Sequence, residues 1–396
     1  MKILRLDVEG FRSLRQVTWT PGDLNVVIGP NGSGKSNLLR VLEMLGVAAR
    51  GSLGKYVQQE GGMEPLLWDG KEPRIRLGIK LAPLDSEFGQ ANLTYDLTLA
   101  RLGPSSAYRI EYELLGNFDG VEQGTHTKPI KILERDPQRA VIFDHDQKAL
   151  VASEASMPEQ ETLLSVAGGP FAANLSILDC HRALTSWSVY QSFHTHREAP
   201  IRAPVITRTE TRVQDDGQNL ISVLHTLYTG SREFKREVNT AMRAAFSDDF
   251  EELVFPPAAD QRIQLRVRWK SLQREQSAAD LSDGTLRFLF LLAVLANPLP
   301  PPVIAIDEPE TGLHPSMLPI IAEYARDAAT RAQVILTTHS PELLDAFSDH
   351  APVTSVMEWR DGATQLRVLS GASLDYWLQQ YTLGELYRSN ELEGME

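Results

Sequence analysis

The chain has 396 residues, 42% hydrophobic and 23% charged, with a formal net charge of −13. That composition excludes a disordered or fibrous chain, and the acidic balance excludes general nucleic-acid affinity, so any DNA contact needs a local basic patch. Cys180 is the single cysteine, the alternating N-terminus reads as a strand and no signal peptide, and the longest apolar run, 288–296, is too short to span a bilayer; the expectation is a cytoplasmic protein with no membrane role.

In chain order, "KILRLDVEGF" alternates as a strand, "DLNVVIG" reads as a buried strand, and "SNLLRVLEMLGVAAR" has helical periodicity. Residues 51–155 hold short alternating runs ("RIRLGIKLA", "NLTYDLTLA", "YRIEYELL", "RAVIFDHD") punctuated by Gly, Pro and Asp, which predict an antiparallel meander inserted after the first helix. Residues 156–200 give no clear pattern, 217–247 read as helical, and "QRIQLRVRWK" (261–270) reads as one clean strand. A helix from 284, a strand "VIAIDEP", a helix from about 315 and a strand "AQVILTTHS" complete the pattern. Strands alternating with helices, three of them apolar throughout, imply a largely parallel sheet covered on both faces.

Gly29-Pro30-Asn31-Gly32-Ser33-Gly34-Lys35-Ser36 matches G-x-x-x-x-G-K-[ST] between an apolar strand and a helix. Glycines let backbone N–H groups turn inward around a phosphate; Lys35 reaches the outer phosphates, and the Ser36 hydroxyl holds Mg²⁺. The plainer alternative is a glycine turn that binds nothing.

The apolar run Val303–Ile306 brings Asp307 out at a strand's carboxyl end, where α/β sheets bind ligands. Asp307 is placed to hold Mg²⁺, and Glu308 to orient or deprotonate an attacking water. His339 repeats the arrangement one strand later, beside Ser340 and Pro341, within reach of a γ-phosphate. "LSDGT" (281–285) opens another helix. Its free N–H groups suit an anion, and a plain N-cap by Ser282 or Asp283 suits it equally well.

These motifs in this order carry a resemblance. "GPNGSGKSNLL", "LSDGT", "IDEPETGLHP", "TTHSP" and the early "EGFRSL" resemble ATPases with ABC-type heads, above all the RecF/SMC-like group. "DLSDGTLRFLFLLAVL" with "TLGELYRSNELEG" resembles bacterial predicted ATPases with AAA_21/AAA_15-type domains. The resemblance spans roughly 1–50 and 180–396. It implies an α/β P-loop NTPase head of the ABC-ATPase type, with a mainly parallel sheet, an inserted antiparallel meander and a helical signature lobe. The boundaries expected are 1–200 for the Walker A lobe, 201–296 for the helical lobe, and 297–396 for the returning segment with Walker B, D-loop and switch histidine.

Carried over by residue, 29–36 is Walker A, extended by Asn37; Asp307 and Glu308 are Walker B; His339 is the switch histidine; and Glu310–His314 is the D-loop region. Arg12 falls where related heads use an arginine near the nucleotide. Ser282, Asp283 and Gly284 become a signature loop that faces the γ-phosphate held by another chain, which implies a head-to-tail homodimer on Mg-ATP. The glutamine of the Q-loop stays open among Gln147, Gln160 and Gln191. The chain departs from SMC proteins proper in having no long coiled coil. It departs from overcoming-lysogenization-type nucleases in having 57 residues after His339, too few for a TOPRIM domain of about 100.

Two basic stretches stand apart from these motifs. "QRIQLRVRWK" sets Arg262, Arg266, Arg268 and Lys270 opposite an apolar face, suited either to a phosphate backbone or to solvent and neighbouring acids. The loop 196–212 carries Arg197, Arg202, Arg208 and Arg212 among acids. His181, His194 and His196 near Cys180 match no zinc spacing and read as structural. The function expected is an ATP-hydrolysing switch serving DNA repair or anti-phage defence. The alternative is a nucleotide-controlled module that presents a partner such as a nuclease, and a transporter subunit ranks third.

Overall fold

The computed structural model describes residues 1–70, 72–83, 92–103, 107–119, 130–144, 147–152, 158–170, 172, 174–347, 351–369, 377–378, 380–389 and 391–394. The chain forms two units, each assembled from separated segments. The first comprises Met1–Gly22, Ile28–Trp187 and Ser355–Val368; the second comprises Asp23–Val27, Ser188–Thr354 and Leu369–Glu396.

The first unit begins with β1 (Lys2–Phe11) and β2 (Leu14–Trp19). β3 (Leu24–Ile28) leads from the second unit back into the first and delivers the chain to α1 (Lys35–Ala49). After α2 (Leu53–Gln59) come β4 (Arg74–Ala82), β5 (Leu93–Arg101), β6 (Tyr108–Asn117), β7 (Ile130–Arg135), β8 (Ala140–Asp144) and β9 (Ala149–Ala152). The predicted meander is there, and it continues the N-terminal hairpin in one antiparallel sheet ordered β2-β1-β4-β5-β6-β7-β8-β9. Its period-2 burial is plain in β5, where Leu93, Tyr95, Leu97 and Leu99 face inward between Thr94, Asp96 and Thr98. Two helices follow, α3 (Leu163–Ala167) and α4 (Leu175–Thr185). Glu113 on β6, fully buried, accepts from the Leu163 and Leu164 N–H groups (2.6 and 2.8 Å) and fixes where α3 starts.

The second unit begins with β10 (Ser188–Tyr190) and β11 (Val205–Ile206), then α5 (Leu220–Gly230) and α6 (Arg232–Phe246). The helical stretch 217–247 is therefore two helices. Ser231 is extended and caps α6 by accepting from the Phe234 N–H at 3.2 Å. The expected strand 261–270 is also two pieces, a correction to the sequence reading. β14 (Arg262–Ile263) pairs with β11 and β13 (Pro257–Ala258), whereas β15 (Arg266–Trp269) pairs with β12 (Phe250–Val254) and β16 (Gln276–Ser277). Alternation survives the break because Ile263, Leu265 and Val267 all turn inward; only the hydrogen-bonding partners change.

Next come α7 (Asp283–Leu295), β17 (Val303–Asp307), α8 (Leu318–Ala329), β18 (Gln333–Thr338), α9 (Pro341–Asp345) and α10 (Leu383–Arg388). Strand order in this unit is β10-β17-β18-β3, with β10, β17 and β18 parallel. α7 is buried nearly all round from Leu286 to Leu295, each buried leucine stabilising the fold by about 2 kcal/mol. A hairpin absent from the sequence reading, β19 (Val353–Arg360) and β20 (Ala363–Val368), belongs to the first unit from Ser355 on, where the Thr364 N–H donates to Ser13 O at 2.8 Å. Among the described residues no helix is long and apolar enough to cross a membrane.

Candidate functional site

In the first unit, Gly29–Ser36 runs from β3 into the first turn of α1. Pro30, Asn31, Gly32 and Ser36 are exposed; Ser33 and Lys35 are buried. The Ser33 N–H donates to Pro30 O (3.1 Å) and closes the turn. Gly34 is the N-cap of α1 and gives it no side-chain cap, the kind of helix start that suits an anion. A side chain is barred at this position. Its φ is +105°, and a Cβ would lie 2.4 Å from Thr364 Oγ1 and 2.7 Å from Ser13 Oγ. Those two hydroxyls brace the loop. Thr364 Oγ1 donates to Ser33 O (2.8 Å), and Ser13 Oγ accepts from Asn37 Nδ2 (2.8 Å).

Lys35 Nζ donates to Gly29 O (2.6 Å) and Pro30 O (3.1 Å), so the ammonium lies across the loop among carbonyl dipoles. Among the described residues the buried Ser33 Oγ has no hydrogen-bond partner, which makes it a polar group suited to a ligand. Arg12 has a left-handed backbone (φ +49°), and its guanidinium pairs with Glu60, which also binds Arg40 at 3.1 Å. Its neighbour Ser13 braces the loop.

In the second unit, Asp307 and Thr337 are paired across β17 and β18, and the Thr337 hydroxyl donates to Asp307 Oδ1. Glu308 leaves the strand end with a left-handed φ of +46°, its N–H held by Thr337 O and Thr337 Oγ1 at 3.1 Å each. That turn aims its carboxylate back at the next strand, where Glu308 Oε1 sits 3.1 Å from His339 Nδ1. The predicted acid and histidine therefore meet. Gln191 directly follows β10, whose Tyr190 is in register with Ile306; of the three glutamines it is the one at a carboxyl end beside Asp307.

At "LSDGT", Ser282 is the N-cap of α7: its Oγ accepts from the Thr285 N–H (3.1 Å) and bonds Thr285 Oγ1 (2.8 Å). Gly284 packs so closely that a Cβ would sit 2.7 Å from Gly312 O in the D-loop region. Arg202, from the basic loop, has its side chain tucked in here, 8% exposed. It donates to Ala278 O (3.1 Å), Leu281 O (2.7 Å) and Thr195 O (2.7 Å), and pairs with Asp283 at 2.5 Å. One of the arginines considered for DNA is thus a staple beneath the turn.

The basic strand is neutralised as well: Arg268 pairs with Glu252 (2.6 Å) and Glu275 (2.7 Å), and Arg266 lies 3.8 Å from Glu275. Sequence reasoning missed Thr337, Arg202 and the loop braces Ser13 and Thr364. It gave Glu310 only as the first residue of the D-loop region and passed over Arg287; their signal was spacing, one falling three residues after Asp307 and the other five after Ser282. Burial lowers the affinity of Arg287 for its proton, against the pull of Glu310 and Glu308.

The family profile described as "AAA domain, putative AbiEii toxin, Type IV TA system" (AAA_21) matches residues 24–345. Among curated proteins none matches the chain. Of solved structures, a "SmcHead bound to the C-winged helix domain of ScpA" is similar over 95% of this chain and 100% of that one, with 14% identity and a TM-score of 0.58. An Smc head domain with an extended coiled coil, bound to the C-terminal domain of ScpA derived from Pyrococcus furiosus, is similar over 96% and 98%, with 13% identity and a TM-score of 0.58. At such identities the likeness shows the fold alone, that of an SMC head domain.

Proposed function

The chain belongs to the AAA_21 family of AAA domains, and from that premise we propose that it hydrolyses ATP with Mg²⁺ and closes head-to-tail with a second copy when ATP is bound. The observation that carries the reading is Glu308 turned toward His339, at the carboxyl ends of neighbouring parallel strands. An uncapped glycine loop in the same chain adds the phosphate cradle.

In this reading the N–H groups of Gly32–Ser36 and the Lys35 ammonium hold the β- and γ-phosphates, and Asn37 steadies the loop through Ser13. Ser36 and Asp307 offer hard oxygen donors, the set that suits Mg²⁺. The ion, when bound, neutralises charge on the phosphate oxygens. Glu308 orients the attacking water and takes its proton, and His339 fixes the carboxylate and faces the γ-phosphate. Gln191 takes the Q-loop place. Ser282, Asp283 and Gly284 complete the site of the second copy.

Paired basic side chains on β15 argue against that strand as a DNA surface. DNA repair or anti-phage defence is the wider role suggested by the resemblance. Presentation of a protein partner such as a nuclease is the alternative, favoured by the ScpA domains bound to the two similar heads. Glu308→Gln tests the core of the reading. It should bind Mg-ATP, lose turnover by about 10²–10⁴-fold, and accumulate a dimer on size-exclusion chromatography. A monomer at saturating ATP, or normal hydrolysis, contradicts it. Wild-type turnover with and without DNA separates the two wider roles.

A further inference from the structure

The strand end that presents His339 carries one more acid. Glu310 is nearly buried, with 9% side-chain exposure, and burial pushes its carboxyl affinity for a proton up. A buried carboxylate is retained only where donors surround it or where its position serves something else. Donors to this one come from Thr338 and His339, with its own backbone N–H beside them. Oε1 accepts from Thr338 Oγ1 at 2.5 Å and from the His339 N–H at 3.3 Å, and it stands 3.8 Å from His339 Nδ1. Among the described residues Oε2 has no hydrogen-bond partner, and it is buried.

The imidazole Nδ1 thus lies between two acids, Glu308 Oε1 at 3.1 Å and Glu310 Oε1 at 3.8 Å. Both are acceptors, so the arrangement asks for a proton on Nδ1 and sets which way the ring faces. Glu308 is partly exposed and, in the proposed reaction, must hold water. Glu310 is enclosed and has no such duty. Arg287, on α7, supplies the nearby positive charge that both acids feel.

We propose that Glu310 is a positioning residue for ATP hydrolysis: it fixes the backbone and the ring of His339 so that Nδ1 faces Glu308. The inference rests on the reading of Glu308 and His339 given above. A merely structural acid would hold the end of β18 and affect folding alone.

A double-mutant cycle on the full chain distinguishes these. Glu310→Ala should lower kcat roughly 10- to 100-fold and leave KM for ATP within about twofold, because the histidine acts on hydrolysis and not on binding. In a His339→Ala background, Glu310→Ala should cost almost nothing more. Glu310→Gln keeps an acceptor for Thr338 and His339 and should recover most of kcat. If Glu310→Ala gives no cooperative thermal transition, Thr338→Val, which removes one donor to Glu310, replaces it in the cycle; it should lower kcat severalfold only when His339 is present. Losses that multiply across the cycle, a rise in KM alone, or an unchanged kcat overturn the proposal while wild-type turnover upholds the ATPase reading. A His339→Ala chain as fast as wild type removes the histidine and this inference together. A wild type without turnover overturns the ATPase reading itself.

Discussion

Two helices of this chain begin at a glycine-bearing turn, and they are finished in opposite ways. α1 starts at Gly34 with no side-chain cap and no acid in its first turn. α7 starts at Ser282, which caps it through Thr285, with Asp283 in the first turn and Arg202 clamped beneath. An uncapped N-terminus keeps its partial positive charge for a ligand, whereas a capped one with its own carboxylate has largely spent it. In the proposed reading the first turn is a phosphate cradle in its own right, and the second is a preformed rim that adds a hydroxyl and a few N–H groups to an anion that something else already holds.

The hardest way to break this contrast is at the cradle. Lys35→Ala should abolish turnover and weaken nucleotide binding by about 100-fold or more, because phosphate charge is left uncompensated in a partly desolvated loop. A fluorescent-nucleotide titration alongside steady-state kinetics checks it; near-normal values would take the loop out of the mechanism.

The contrast is sharpened by mixing Lys35→Ala with Ser282→Arg. Each alone should be nearly inactive if sites are shared between copies. Random pairing then restores about a quarter of wild-type activity, since half the dimers are mixed and each has one intact site. Trapping the mixed dimer with Mg-ATP and counting bound nucleotides settles a small recovery: one tightly held ATP supports the shared site, and none sinks it.

A smaller effect is expected beneath the rim. Arg202→Ala removes donors to Ala278 O, Leu281 O and Asp283 and should lower stability by roughly 2–4 kcal/mol. ATP-driven dimer formation should fall about tenfold while single-chain nucleotide affinity stays put, since α1 is not touched. A matching fall in that affinity would mean the two helix starts are not independent. Least of all should come from Arg266→Glu with Arg268→Glu. These arginines already face Glu252 and Glu275, so DNA affinity and its salt dependence should stay at the parental value. A steep loss in a filter-binding or anisotropy titration would reinstate β15 as a phosphate-tracking strand.

The cradle was legible because a backbone requirement writes itself locally: glycine spacing, a lysine and a serine are all within eight positions, 29–36. Asp307 and Glu308 were legible for a related reason, an apolar strand that ends where the acids start. Glu310 was not, because its partner Thr338 lies 28 residues away. Arg202 shows the same limit more sharply. Its local neighbours made it one of several exposed-looking arginines, yet most of its acceptors lie 76 to 81 residues on. "QRIQLRVRWK" kept its alternation while exchanging one set of strand partners for another, a change that periodicity cannot register. The missed hairpin did carry a signal. Asp361-Gly362 has left-handed φ at both positions (+51° and +77°), the pair that a tight hairpin turn demands between alternating runs.

Gly284 carries two constraints that sequence comparison would merge into one. Its missing side chain makes room for Gly312 O, which a Cβ would meet at 2.7 Å, so glycine is required there even in a chain that never encounters a nucleotide. A loss of activity in Gly284→Ala would therefore not identify the turn as an anion contact, since displaced packing would give the same loss. Ser282 is exposed and free of that packing demand, so position 282 reports on the ligand together with the helix cap it makes to Thr285, and position 284 reports on the fold.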